Sequence, residues 1–505
     1  MANIAKQKQI VLAVSAVLGG LSFVPTAQAV NLSTDGLGEA LNWSYYSVNG
    51  GNSTLFNIIN TSDHTVAGRL RFRESRNSRD VYDIVVVLSP HDYWNGIVEA
   101  DPTYGASIRT TDVDTCTVPA LNTPLNRGFK TRDLTDGGPT DVSRLKEGYF
   151  EFIEMGSIEG ELGINCAQVT TLFTDNSTST GGTKALENVK AQFPEYVANP
   201  LKGVANIINV AGWNTAYEPT VFADFYVPPV AKSNLVTLHL PPNFQNIPIN
   251  DDITRYRASW YEPTLASSNT PAQVLVADGT LFTSPAPGGA NAISYLLSRT
   301  DVINTWSERL MSEGAAWDTS TALVLTLPTK GFYVDRSLTD MAASGYKGLV
   351  GLPLIGPEPF TSSWSWSATT GPESCDPIRI SLYDREENLY DDPPVTSPWG
   401  QGYEICNEAN VITFRGGNPL FSNNPYNVDF TVADFPADAG WIDINLHSPA
   451  NDWGIREEGY RGLPVVGFGY TYRDQGTATG VRDSVSYEHA YKRNLIKEIK
   501  EEQPE

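Results

Sequence analysis

The chain is poor in the residues on which most enzymes and nucleic-acid binders depend. It has five histidines, four cysteines and four methionines in 505 residues, and its 35 Lys+Arg face 58 Asp+Glu for a formal charge of -23. So acidic a surface excludes a nucleic-acid binder, because phosphate backbones demand basic partners. It equally disfavours electrostatic adsorption to anionic lipid. No G-x-S-x-G elbow, H-E-x-x-H pair or S-x-x-K with its usual partners occurs. His64, His91, His239, His447 and His489 stand far apart, none at i, i+2 or i, i+4, and each reads as a turn or surface residue. No two cysteines have the C-x₂₋₄-C spacing of a zinc site, so no metal is expected from them. After residue 24 no apolar run reaches the roughly 18 residues of a membrane helix.

What is present begins with an export signal. Lys6 and Lys8 precede an apolar run from Ile10 to Val24, and Ala27-Gln28-Ala29 offers the small-x-small pattern of a cleavage site. Residues 1–29 are therefore expected to be a signal peptide. The mature protein from Val30 is expected to be exported to the cell surface or medium, with the periplasm as the alternative. Cys116, Cys166, Cys375 and Cys406 all lie in the mature chain, and an even number in an exported protein implies two disulfides. Three connectivities exist, of which sequence-near pairing, Cys116–Cys166 and Cys375–Cys406, is the expected one.

Abundant Gly (42) and Pro (33), with many Thr, Asn, Tyr and Trp, favour strands joined by tight turns. The expected fold class is mainly β, with immunoglobulin-like β-sandwich domains carrying small helical insertions. Proline- and asparagine-rich stretches at Pro228-Pro229 and Pro241–Asp252 suggest a boundary between a first domain over 30–235 and a second over 236–490. Residues 491–505 would form a charged helical or frayed tail. Strands are expected at 40–48, 54–60, 68–73, 81–88, 149–155, 168–173, 203–210, 220–227, 323–327 and 331–334. Helices are expected after Thr183 (Leu186, Val189, Phe193) and over Asp301–Glu313, where Val302, Trp306 and Leu310 share one face. GLPLIG (351–356) and GLPVVG (462–467) hint at an internal repeat.

Three groups stand out chemically. Arg69, Arg71, Arg73, Arg76 and Arg79 fall within eleven residues, the first three on one face of an alternating strand opposite Gly68, Leu70 and Phe72. They suit an anionic polymer or a partner subunit, or else internal ion pairs with the chain's own carboxylates, between domains for example, and the internal reading is preferred. In Ser363–Ser367 (SWSWS), Trp364 and Trp366 would project from one face, as a sugar-stacking platform if exposed or as core if buried, the latter being preferred. Asp384–Glu387 with Asp391-Asp392 reads as a solvated acidic loop, with calcium as the alternative. A glycosidase needs only two carboxylates and stays open as a second function.

The order from Asn60-Thr61-Ser62, through the arginine-alternating strand, to Leu88-Ser89-Pro90 resembles an immunoglobulin-type module of bacterial surface proteins. Gly148–Met155, Leu325–Asp335, Tyr383–Glu387 and Gly462–Phe468 are similar to stretches of a group of uncharacterised exported proteins of Gram-negative bacteria. That resemblance implies export and a β fold, and brings no activity. The expectation is a non-catalytic envelope or extracellular-matrix component that holds an envelope polymer or associates with itself. The mature arm from Val30 is a candidate donor strand for a partner's sheet edge.

Overall fold

A computed structural model describes residues 29–173, 192–226, 264–265, 268, 271–275, 281–283, 289–309, 317–335, 359–391, 403–414, 421, 428–430, 438–446, 453–455, 458–460, 462–476, 480–493 and 495–497. The expected signal peptide up to residue 28, the helix expected after Thr183 except for Phe193, the proline-rich boundary, GLPLIG and the last eight residues lie outside them.

The fold is mainly β. Twelve strands build the first half: β1 (Asn31–Leu32), β2 (Ala40–Ser47), β3 (Asn52–Asn60), β4 (His64–Glu74), β5 (Asp80–Leu88), β6 (Tyr93–Asp101), β7 (Gly105–Arg109), β8 (Cys116–Val118), β9 (Glu147–Glu159), β10 (Leu201–Asn209), β11 (Asn214–Tyr217) and β12 (Thr220–Ala223). They form a seven-stranded sheet, β1-β12-β2-β9-β4-β5-β8, and a five-stranded sheet, β11-β10-β3-β6-β7. β3 is central, as its two apolar faces suggest, but its neighbours are β10 and β6. The chain crosses to the other sheet at β4, so the consecutive strands do not pair as one meander. Trp43, Phe56, Leu70, Phe72, Trp94 and Phe150 fill the space between the sheets. Their rings meet at 4.7–5.8 Å for Trp43–Phe150, Phe56–Phe150 and Phe56–Phe72, distances at which aromatic pairs contribute beyond their burial.

The second half also has two large sheets. One runs Leu389–Asp391, Asp376–Asp384, Ala439–Asn445, Asp301–Ser307, Ala490–Lys492, and the other Val428–Phe430, Ala409–Phe414, Asp318–Thr326, Val466–Asp474, Arg482–Glu488. The strand Asp318–Thr326 shows how the halves join. Leu323 and Leu325 enter the second half's own core, while Ala322 and Val324, pointing the other way, belong to the core of the first half. Val411 and Ile412 divide in the same manner. A strand buried on both faces reads as a continuous apolar run, as TALVLTL does.

Four local expectations are corrected. Asp301–Ser307 is a strand, paired on both sides. Positions 302, 306 and 310 satisfy both a four-residue and a two-residue repeat, and β-branched Val302, Ile303 and Thr305 tip the balance to strand. Cys166–Phe173 is a helix burying Val169 and Phe173. Asn165 and Gln168 cap it reciprocally, each side chain accepting from the other's backbone N–H. Gly331–Val334 is a helical turn, and the buried helix Gly289–Leu297 has no counterpart among the expected elements. The tail contributes strands at Ala490–Lys492 and Leu495–Lys497. The N-terminal arm is also corrected. Val30 is fully buried, its N–H donates to Pro271 O and its carbonyl accepts from Gln273 N, while Asn31–Leu32 pair with β12. The chain uses this arm itself, so it is no free donor strand.

Candidate functional site

The arginine strand supplies the site. In β4, Arg71 lies directly opposite Asp83 of β5 and Glu151 of β9, and Arg73 opposite Asp80 and Tyr149. Cross-strand neighbours stand about 5 Å apart, so strand register sets Arg71 and Arg73 beside carboxylates, while the residues opposite Arg69 are Val85 and Ile153. Arg69 pairs with Asp83. Arg71 reaches Asp80 at 3.0 Å and Glu151 at 3.5 Å. Arg73 donates through Nε and Nη2 to Glu151 Oε1 at 3.2 and 3.0 Å, and through Nη1 to Ser78 O at 3.0 Å. Arg69, Arg71 and Arg73 are only 1, 2 and 8% exposed.

The β4–β5 hairpin then carries the charges into the second half. Glu74 accepts the backbone N–H groups of Arg76, Asn77 and Arg79 at 2.8–3.1 Å. It also takes a bidentate contact from Arg144 at 2.8 and 2.9 Å. Arg144 grips Asp136 with Nη1 at 2.9 Å and Nη2 at 2.5 Å. Burial works against the Asp136 charge, but the Arg144 hydrogen bonds and field outweigh it and hold the carboxyl at about 2. Arg79 spans to Asp335 at 3.2 Å, and Asn77 Nδ2 donates to Asp136 at 2.8 Å and to Asp335 at 3.3 Å. Backbone joins the halves too: Glu408 N and Ala409 N both donate to Ser75 O, at 2.8 and 2.9 Å. Beneath lies Lys330, 1% exposed, paired with Asp376 at 2.8 Å. Glu408 is fully buried and neither carboxyl oxygen accepts a hydrogen bond. Burial pushes its proton affinity well up, with the Glu74 and Asp335 charges adding and Lys330 and Arg73 opposing.

Trp364 and Trp366 come to this seam from 290 residues away. Trp364 is 6% exposed, its indole N–H donates to Asp136 O at 3.0 Å, and Arg144 lies over its ring at 5.8 Å. Arg76 lies over Trp366 at 4.9 Å. Of the two readings, core describes Trp364, while Trp366 is half-buried, and both rings seat arginines. In the acidic loop, Asp384 Oδ1 accepts from Glu386 N and Asn388 N, and Oδ2 from Asn388 Nδ2, which is a turn stabilised by its own backbone. Among the described residues one group has metal-binding proximity, Cys375, Glu404 and Cys406, but both cysteines are spent in a disulfide. The bonds are Cys116–Cys166 and Cys375–Cys406, and such bonds fit an oxidising, non-cytoplasmic location. Among the described residues no helix is long and apolar enough to cross a membrane.

A buried carboxyl pair lies where Glu39, just before β2, meets Glu154 of β9. Glu39 is 3% exposed and Glu154 fully buried, and Glu154 N donates to Glu39 O at 2.9 Å. Glu39 Oε2 accepts from Tyr226 N, Glu154 Oε1 from Val197 N, and Glu154 Oε2 has no hydrogen bond. Burial, opposed by the Tyr226 N–H and aided by Asp224, pushes the Glu39 carboxyl up to about 8. Burial, with Glu39 as like-charged neighbour, raises Glu154 as well.

Packing of the two halves brings together the arginines and tryptophans that the sequence singles out, whereas Glu74, Arg144, Lys330, Asp335 and Glu408 escape sequence reasoning. Only the charged segment Asp141–Glu147 was a signal for Arg144. The other four sit singly in apolar or turn surroundings. No family model matches the chain, and no curated protein matches it.

Proposed function

We propose that this is an exported, non-catalytic structural or interaction protein of a bacterial envelope or extracellular matrix, with immunoglobulin-like modules fused into one rigid body. The observation that carries this reading is how the conspicuous polar groups are used. Arg69, Arg71, Arg73, Arg79 and Arg144 pair with carboxylates of the chain itself, and Arg76 and Arg144 rest on Trp366 and Trp364. Such a network serves rigidity and a fixed relation between the halves. Two disulfides support the same reading, since an exported scaffold gains most from cross-links outside the cell.

Fractionation of the source cells, followed by co-purification with the mature chain, tests the proposal. The expected result is a processed protein in the envelope or medium, associated with an envelope polymer or with itself. A cytoplasmic, unprocessed chain would overturn it, as would turnover of a substrate that tracks with the purified protein.

A further inference from the structure

A cleft of about 550 Å³ opens where the two halves meet, within the size range of small-molecule sites and too small for a folded partner. Its walls come from the β11–β12 connection and the turn after β1 on one side, and from Gly467–Phe468 and the Ser486–Tyr491 segment on the other. The floor is built. Tyr217 stacks on Phe468 at 4.4 Å and 15°, its hydroxyl donates to Tyr45 O, and Ser486 Oγ donates to Ala216 O. Tyr487 and Tyr491 add two half-buried rings, and Arg299 already rests over the Tyr491 ring at 5.0 Å.

None of the residues lining the cleft is a lysine, arginine or histidine, and two of them are glutamates, Glu218 and Glu488. Both are exposed, and neither side chain makes a hydrogen bond or ion pair among the described residues. The two acids flank aromatic rings and hydroxyls, on a chain whose overall field is negative. An anion is repelled here. An alkylammonium is attracted by the carboxylates and lays its methylene stem on the apolar surface of the walls.

We propose that this cleft binds a linear alkylammonium chain, such as a polyamine or the lysine side chains of a basic peptide, bridging Glu218 from the first half and Glu488 from the second. Because the walls belong to different halves, the ligand clamps their junction.

Calorimetric titration of the full protein with spermidine and with tri-lysine, at low and at physiological salt, tests it, with Mg²⁺ as the counterion control. The expected result is saturable one-to-one binding of at least one of these probes, clearly tighter than Mg²⁺. The tighter of the two identifies the source. The double variant Glu218→Gln/Glu488→Gln should weaken binding by about twenty-fivefold, roughly fivefold for each carboxylate. Glu386→Gln/Glu387→Gln, which removes the same charge elsewhere, should change it less than twofold. Neither pair makes a side-chain contact the fold needs, and circular dichroism confirms that the variants are folded. The proposal is overturned if neither probe binds saturably, if Mg²⁺ binds as well, or if the two double variants weaken binding alike.

Discussion

Replacing Glu39 by glutamine should flatten the pH dependence of this protein's stability. In the folded chain the Glu39 carboxyl keeps its proton up to about pH 8, because burial between β2 and the Tyr226 segment penalises the charge. In the unfolded chain it releases that proton in the ordinary carboxylate range. The folded state thus holds a proton that the unfolded state has lost, and stability falls as pH rises from the ordinary range through about 8. Below that window the carboxyl is neutral in both states and costs nothing. Each tenfold difference in proton affinity is worth about 1.4 kcal/mol, so ionisation above pH 8 costs about 3–5 kcal/mol, shared with Glu154. Glutamine keeps the shape and the bond from Tyr226 N but cannot ionise. Urea unfolding at pH 5, 7 and 9 reads the effect: the wild type should lose stability across the series, and Glu39→Gln should lose less, gaining on the wild type by a few kcal/mol at pH 9. Glu154→Gln should act in the same direction. Parallel pH profiles of wild type and variant would refute the reasoning.

The seam offers three further tests. Arg144→Met leaves Glu74 and Asp136 buried without their cation, and should cost about 3–5 kcal/mol in urea unfolding. It should also abolish the part of stability that is present above the ordinary Asp range and lost as pH falls through about 2, where Asp136 titrates; a loss under about 1 kcal/mol would contradict the network. Arg73→Glu sets a carboxylate against Glu151 inside the sheet and should prevent stable folding, read as a collapsed thermal transition or an insoluble product. Trp364→Ala removes a buried ring and its bond to Asp136 O for about 3–5 kcal/mol, whereas Trp364→Phe should lose less than half of that by the same assay.

The alternation in β4 was fully legible in the sequence. Leu70 and Phe72 enter the sandwich core, as a strand with that pattern must, and the opposite face carries the three arginines. Alternation says which residues share a face and nothing of what covers that face. Helix Cys166–Phe173 covers one end of the outer surface of the sheet, packing Val169 and Phe173 near Val85 and Val87. Helix Gly289–Leu297 and Phe332 cover another part, near Ala40 and Ile153. The first helix reads as a strand, because short apolar segments satisfy strand and helix periods alike, and the second was not among the expected elements. Without that cover, alternation left partner binding and internal pairing both open for the arginine face, the internal reading being preferred.

Composition and local pattern determined the β class, an even set of four cysteines for which sequence-near pairing was the expected one of three connectivities, and the grouping of Arg69, Arg71 and Arg73 on one strand face. These are properties of residue type and of spacings under about fifty positions. Tertiary structure alone decided that Arg144 would sit between Glu74 and Asp136, that Trp364 would seat it from the other half of the chain, and that Glu408 would be shut away without a hydrogen bond. Each of those depends on which surfaces of two sandwiches meet, and such meetings are fixed by summed burial and packing over hundreds of residues, which no local spacing encodes.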